Sequence, residues 1–166
     1  MIVGVDPGNK GAIAVFDEST AGLVQLLDMP LSDVGLKTKS KDSVNASAIS
    51  DLLKFVNPSI VVIEQVGARK GEGAANSFYF GYGYGLFIGV CRCLEIPVKH
   101  VTPSEWKKHF NLIKKPKSDS CLIARKRFPS FQFHSKFKNR KGGHNALDGR
   151  GDAALIALYA HETSIS

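Results

Sequence analysis

The sequence predicts an α/β fold, a mixed five-stranded sheet flanked by helices, on three observations. Residues 1–29 break into three short apolar runs separated by turn residues, the pattern of an antiparallel meander. Residues 43–101 then alternate helical periodicity with strand-like runs, the pattern of crossovers between parallel strands. Ile60 to Ile63 are four consecutive β-formers, as expected of a strand buried on both faces. Antiparallel and parallel neighbours in one sheet make it mixed.

"MIVGVD" (1–6) is the first predicted strand. "PGNK" turns the chain into its hairpin partner, "GAIAVFD" (11–17), and "LVQLLDM" (23–29) is the third strand. Residues 30–42 are polar and predicted as loop. Residues 43–56 predict an amphipathic helix with Val44, Ile49, Leu52, Leu53 and Val56 on one side, ended by Asn57-Pro58. The fourth strand covers 59–65. A glycine-rich loop, "GARKGEG" (67–73), leads into a long helix over about 74–94. There Gly81, Gly85 and Gly89 recur every four residues and share one face, which suits close packing within the chain or against a second subunit. "PVKHV" (97–101) is the fifth strand. A helix over 102–110 follows, with Thr102 as cap and Pro103 at its first position. Residues 117–128 predict another helix, 129–145 a basic loop and 148–162 a closing helix. Neither an internal repeat nor a long linker divides the chain, so one domain over 1–166 is expected.

The charge is unevenly spread. Residues 99–141 hold thirteen Lys/Arg against two acids, and the rest of the chain holds nine against thirteen. A basic third on an acidic body implies a polyanionic partner, with nucleic acid ahead of an anionic membrane surface or an acidic protein. No stretch approaches the ~20 apolar residues of a membrane span. The N-terminus lacks a basic-then-apolar leader, so an intracellular protein is expected. Cys91, Cys93 and Cys121 are odd in number and lack paired metal-binding spacing, which predicts reduced thiols.

Acids end both central strands. Asp6 closes the first and Glu64 the fourth. If those strands are parallel neighbours, both acids lie at the carboxyl edge of the sheet, where open α/β sheets place ligands. Asp148 and Asp152 sit four apart, on a helix face that continues inward through Leu155 and Tyr159. Each has a structural alternative. Asp6-Pro7-Gly8 suits a turn, Asp148 a helix cap, and Asp152 in a first turn complements the helix dipole. Taken together, four carboxylates near one point repel one another unless a divalent cation neutralises them. Hard oxygen ligands suit Mg²⁺, with Mn²⁺ as a substitute, and a pair of such ions serves phosphodiester cleavage. An acidic site in a basic surround is what a metal-dependent nuclease requires.

"IVGVDPGNKGAIAVF", "VVIEQV" and "DGRGDAALIALYA" resemble the RuvC-type Holliday junction resolvases, particularly the shorter phage-type members. The resemblance spans residue 2 to about 160. It implies a ribonuclease H-like fold, with Asp6, Glu64, Asp148 and Asp152 as catalytic metal ligands. It also implies a homodimer that nicks two strands of a four-way DNA junction symmetrically. Lys107 in "EWKK" and Lys117 in "PKSDS" match basic positions beside the scissile phosphate in that family. Lys114 and Lys115, with Arg69 and Lys70 of the glycine-rich loop, are further expected DNA contacts.

The sequence departs from the family in two places. The family's last acids are often spaced by three, sometimes with a histidine first. Here the spacing is four, and His144 is an alternative to Asp148. An aromatic commonly follows the "EQV" stretch, where this chain has Gly67. Phe78, Tyr79 and Tyr82 are candidates to supply base stacking, with core packing as their alternative. The missing aromatic leaves a looser branched-DNA nuclease open beside a strict junction resolvase. Two other readings compete: a ribonuclease H-like enzyme acting on RNA or RNA–DNA hybrids, and a non-catalytic DNA-binding module. "DPGNKG" is also similar to the phosphate loop of actin-like sugar kinases, whose two such domains do not fit in 166 residues.

Overall fold

A computed structural model describes residues 1–32, 43–65, 67, 71, 73–138 and 144–165. In chain order they form β1 (Ile2–Asp6), β2 (Ala12–Asp17), β3 (Gly22–Asp28), β4 (Leu31–Ser32), β5 (Ser43–Val44) and α1 (Ala46–Val56). Then come β6 (Ile60–Glu64), α2 (Ala74–Cys93), β7 (Val98–Val101), α3 (Pro103–His109) and α4 (Ser118–Arg127). β8 (His134–Lys138), β9 (His144–Ala146) and α5 (Asp148–Glu162) complete the order.

Pro7 has no N–H to continue the ladder, and the chain turns back after β1, with the Gly11 N–H donating to the Gly8 carbonyl at 2.7 Å. β1 and β2 pair antiparallel, setting Asp6 opposite Ala12. β6 lies parallel to β1 on its other side, with Val5 opposite Ile63. β7 runs parallel to β6, with Glu64 opposite Val101. The five-stranded sheet has the order β3-β2-β1-β6-β7. It is the mixed sheet that the meander and the crossovers predicted.

Both faces of the sheet are covered, which is why its central strands are apolar without alternation. On one face Ile2, Ala14, Phe16 and Val62 pack under α5, through residues such as Leu155 and Ile156. On the other, Val3, Val5, Val61 and Ile63 pack against Ile49 and Leu53 of α1 and Phe87 of α2. Full burial of a side chain such as Leu155 contributes about 2 kcal/mol. The helix starts follow their caps. Asn45 Oδ1 accepts from the Ala48 N–H at 3.1 Å. At α3 the predicted Thr102 cap closes a reciprocal box with Glu105, whose Oε2 accepts from the Thr102 N–H at 2.6 Å.

Three segments differ from expectation. Ser43 and Val44 belong to β5, not to a helix, because Asn45 caps a helix that begins at Ala46. Leu31 and Ser32, predicted as loop, pair with Val44 and Ser43. The predicted basic loop 129–145 holds β8 and the start of β9, which pair antiparallel. Its polar composition hid the pairing, because these strands lie outside the five-stranded sheet and carry little of the apolar pattern by which a core strand is read. Among the described residues no helix is long and apolar enough to cross a membrane.

Gly4 decides where α5 sits. A Cβ there would lie 2.5 Å from both the Ala153 carbonyl oxygen and the Ala157 nitrogen, so the helix backbone rests directly on β1. At the helix start, a Cβ on Gly149 would collide with the Lys10 carbonyl in the β1–β2 turn. These two approaches seat the first turn of α5 against the carboxyl end of β1.

Candidate active site

Asp6 ends β1, Glu64 ends the parallel β6, and Asp148 and Asp152 open α5. All four line one cavity of ≈ 510 Å³. The cap of α5 is Leu147, so Asp148 is its first helical residue and does not serve as the cap. Lys107, Lys114, Lys115 and Lys117 line the same cavity, as does Lys10 from the β1–β2 turn. Arg69 and Lys70 lie outside the described residues, and His144 belongs to β9.

Glu64 is 8% exposed, and its partner explains how an acid ends such an apolar strand. Trp106 Nε1 donates to Glu64 Oε1 at 2.9 Å from the core side of α3. Asp6 Oδ1 accepts the Gly8 N–H at 3.3 Å. The Ser120 hydroxyl donates to the Lys117 carbonyl at 2.9 Å and, beside Asp152, lowers the proton affinity of that carboxyl. None of the four acids forms an ion pair among the described residues. Arg150, between the two aspartates of α5, instead turns to Asp28 at the end of β3. Its Nε and Nη2 reach the two carboxylate oxygens at 2.6 and 2.9 Å, and Nη1 reaches the Gln132 carbonyl at 3.3 Å. That fork fastens the start of α5 to the far side of the meander.

The electrostatics are those of carboxylates buried close together. Burial, then repulsion from Asp152 and Glu64, lifts the Asp6 carboxyl to about 7. Burial also lifts Asp152 to about 6, with Glu64 and Asp148 adding to it. The Lys107 ammonium opposes both shifts without cancelling either. Among the described residues no three Asp, Glu, His or Cys side chains converge as they stand on a single ion position. The donor set still fits a hard divalent cation: carboxylate oxygens from three elements line one cavity, and burial together with mutual repulsion makes two of them hold protons tightly.

These shifts carry a stability prediction for metal-free protein. Between pH 3.8 and about 7 the folded state binds more protons at Asp6 and Asp152 than the unfolded chain does. Stability contributed here therefore falls as pH rises through that window, by up to about 1.4 kcal/mol per pH unit per group. Thermal melts in a chelator should show a loss between pH 5 and pH 8 that Asp6→Asn reduces. A pH profile that this substitution leaves unaltered would contradict the raised proton affinity of Asp6.

Reading the sequence alone missed Trp106, Ser120 and Lys10. Trp106 carried a usable signal: an indole N–H in the core needs an acceptor, and Glu64 needs a donor. Ser120 and Lys10 carried none. Of the aromatics considered for stacking, Phe78 is 59% exposed, and the Tyr79 ring meets it edge-on at 5.5 Å. At Gly67, no atom of the described residues lies within 4 Å of where a side chain would begin.

No protein-family model matches the chain, and no curated protein matches it. Solved structures do resemble it. Thermus thermophilus RuvC in complex with a Holliday junction substrate aligns over 99% of this chain and 95% of its own, at 15% identity and a TM-score of 0.66. A second Thermus thermophilus RuvC structure aligns over 98% and 96%, at 16% identity and a TM-score of 0.59. The fowlpox virus resolvase in complex with its substrate Holliday junction DNA aligns over 98% and 99%, at 15% identity and a TM-score of 0.51. The chain thus has the ribonuclease H-like fold of the RuvC-type resolvases.

Proposed function

We propose that the chain is a divalent-metal-dependent endonuclease that resolves four-way junctions or other branched DNA by paired nicks. The observation that carries this reading is the single cavity in which four carboxylates face five lysines. Asp6, Glu64, Asp148 and Asp152 would hold Mg²⁺, or Mn²⁺ in its place. Such ions supply an activated water and charge stabilisation for the leaving oxygen in phosphodiester hydrolysis. Lys107 stands close enough to Asp6 and Asp152 to act on both, so it can hold a phosphate against the acids. Lys114, Lys115 and Lys117 extend the positive rim along which a DNA backbone would run.

Paired nicks call for two sites, hence a homodimer. The face of α2 that carries Gly81, Gly85 and Gly89 supports one. Each glycine has open space where a side chain would begin, and with Leu86 and Val90 they line an apolar groove of ≈ 550 Å³.

A cleavage assay tests the reading, comparing a four-way junction, a flap, linear duplex and an RNA–DNA hybrid, each with and without Mg²⁺. Paired, Mg²⁺-dependent nicks at the junction are expected. Cleavage of the hybrid alone would overturn the DNA assignment, and binding without cleavage would make the chain a DNA-binding module. Replacing Lys114, Lys115 and Lys117 together by Gln should weaken junction binding and make its salt dependence shallower by up to about 3 in log–log slope. An unaltered slope would place the DNA elsewhere.

A further inference from the structure

Glu64 is the most buried of the four acids, and the bond from Trp106 is the one hydrogen bond it receives among the described residues. The indole is 0% exposed and fixed in the core, and its nitrogen can only donate. It therefore holds one carboxylate oxygen, Oε1, from one direction, and Oε2 remains available. The neighbouring residue uses the same ring. Lys107 Nζ lies 4.9 Å from the Trp106 ring centroid, within cation–π range. One core side chain thus touches both the deepest acid and the lysine that acts on Asp6 and Asp152.

We propose that Trp106 is a positioning residue of the acidic site: its indole N–H grips Glu64 by Oε1 so that Oε2 is presented to a divalent cation, while its ring steadies Lys107. This rests on the reading of the four acids as a metal site. Groups that orient a metal ligand in this way typically change metal affinity 10–100-fold when removed. A packing residue of equal burial has no such effect.

Trp106 is the chain's one tryptophan, so intrinsic fluorescence reports on this residue alone. Titrating Mg²⁺ or Mn²⁺ into the wild-type protein should change the emission saturably, with the midpoint that calorimetry gives for the same ion. Trp106→Phe keeps a buried ring and removes the donor. It should remain folded and bind Mn²⁺ at least about tenfold more weakly. Phe87→Leu, in the core on the opposite side of the sheet, should lower stability without weakening Mn²⁺ binding. If Trp106→Phe binds Mn²⁺ as tightly as wild type while Glu64→Gln does not, Trp106 has no positioning role and the metal site stands. If both variants bind like wild type, the metal site itself is wrong. Should Trp106→Phe fail to fold, the wild-type titration decides: an emission unmoved by an ion that calorimetry shows to bind overturns the proposal.

Discussion

Glu64→Gln is expected to abolish strand cleavage while the protein stays folded and binds DNA. The amide keeps the shape of the side chain and an oxygen that can still accept from Trp106 Nε1, so the core loses little. What it loses is a negative charge at the end of β6. Metal stabilisation of a hydrolytic transition state is worth several kcal/mol, and about 4 kcal/mol corresponds to a rate loss of about a thousandfold. The same charge also raises the proton affinity of Asp6 and Asp152, so the metal-free variant should melt no lower than wild type at pH 8. Activity and stability moving in opposite directions mark a group kept for function at the expense of the fold. Junction cleavage within tenfold of wild type would remove Glu64 from the reaction.

Gly4→Ala should give the largest loss of stability for a single added methyl group. The new Cβ meets backbone of α5, not the flexible end of a side chain, so the helix must lift or β1 must bend. Overpacking of this kind costs about 3 kcal/mol or more. For a chain of 166 residues that is a fall of about 6–12 °C in melting temperature. Gly22→Ala is the control, because its Cβ would approach no atom closer than 3.4 Å. Lifting α5 would also carry Asp148 and Asp152 away from Asp6, so cleavage should fall even at temperatures where the variant is folded. A melting temperature within 2 °C of wild type would show that β1 and α5 are not in direct backbone contact.

Both expectations begin from stretches whose chemistry is legible in the sequence. "IVGVD" and "IVVIE" announce buried parallel strands that end on acids, and the structure sets them side by side. "DGRGDAALIA" places two acids on one helix face, and the Gly149 within it permits the close seat on the β1–β2 turn. Less local features were not legible. The Trp106–Glu64 bond joins residues 42 apart, and no periodicity reports a pairing at that separation. The Arg150–Asp28 fork spans 122 residues. The β4–β5 and β8–β9 pairs are short and stand apart from the main sheet, so each spans too few positions for a strand period to report it. Val44 joins the apolar residues counted over 43–56, but it stands nine residues, two and a half turns, from Leu53, and the Asn45 cap starts the helix after it.

The central claim is that carboxylates from β1, β6 and α5 hold one divalent metal centre. Anomalous scattering from crystals grown with Mn²⁺ tests it most directly. The account predicts density for Mn²⁺ in the cavity, ligated at about 2.0–2.2 Å by oxygens of Asp6 and Glu64 and at least one aspartate of α5. Manganese bound only elsewhere on the protein, with these four side chains unligated, would contradict it.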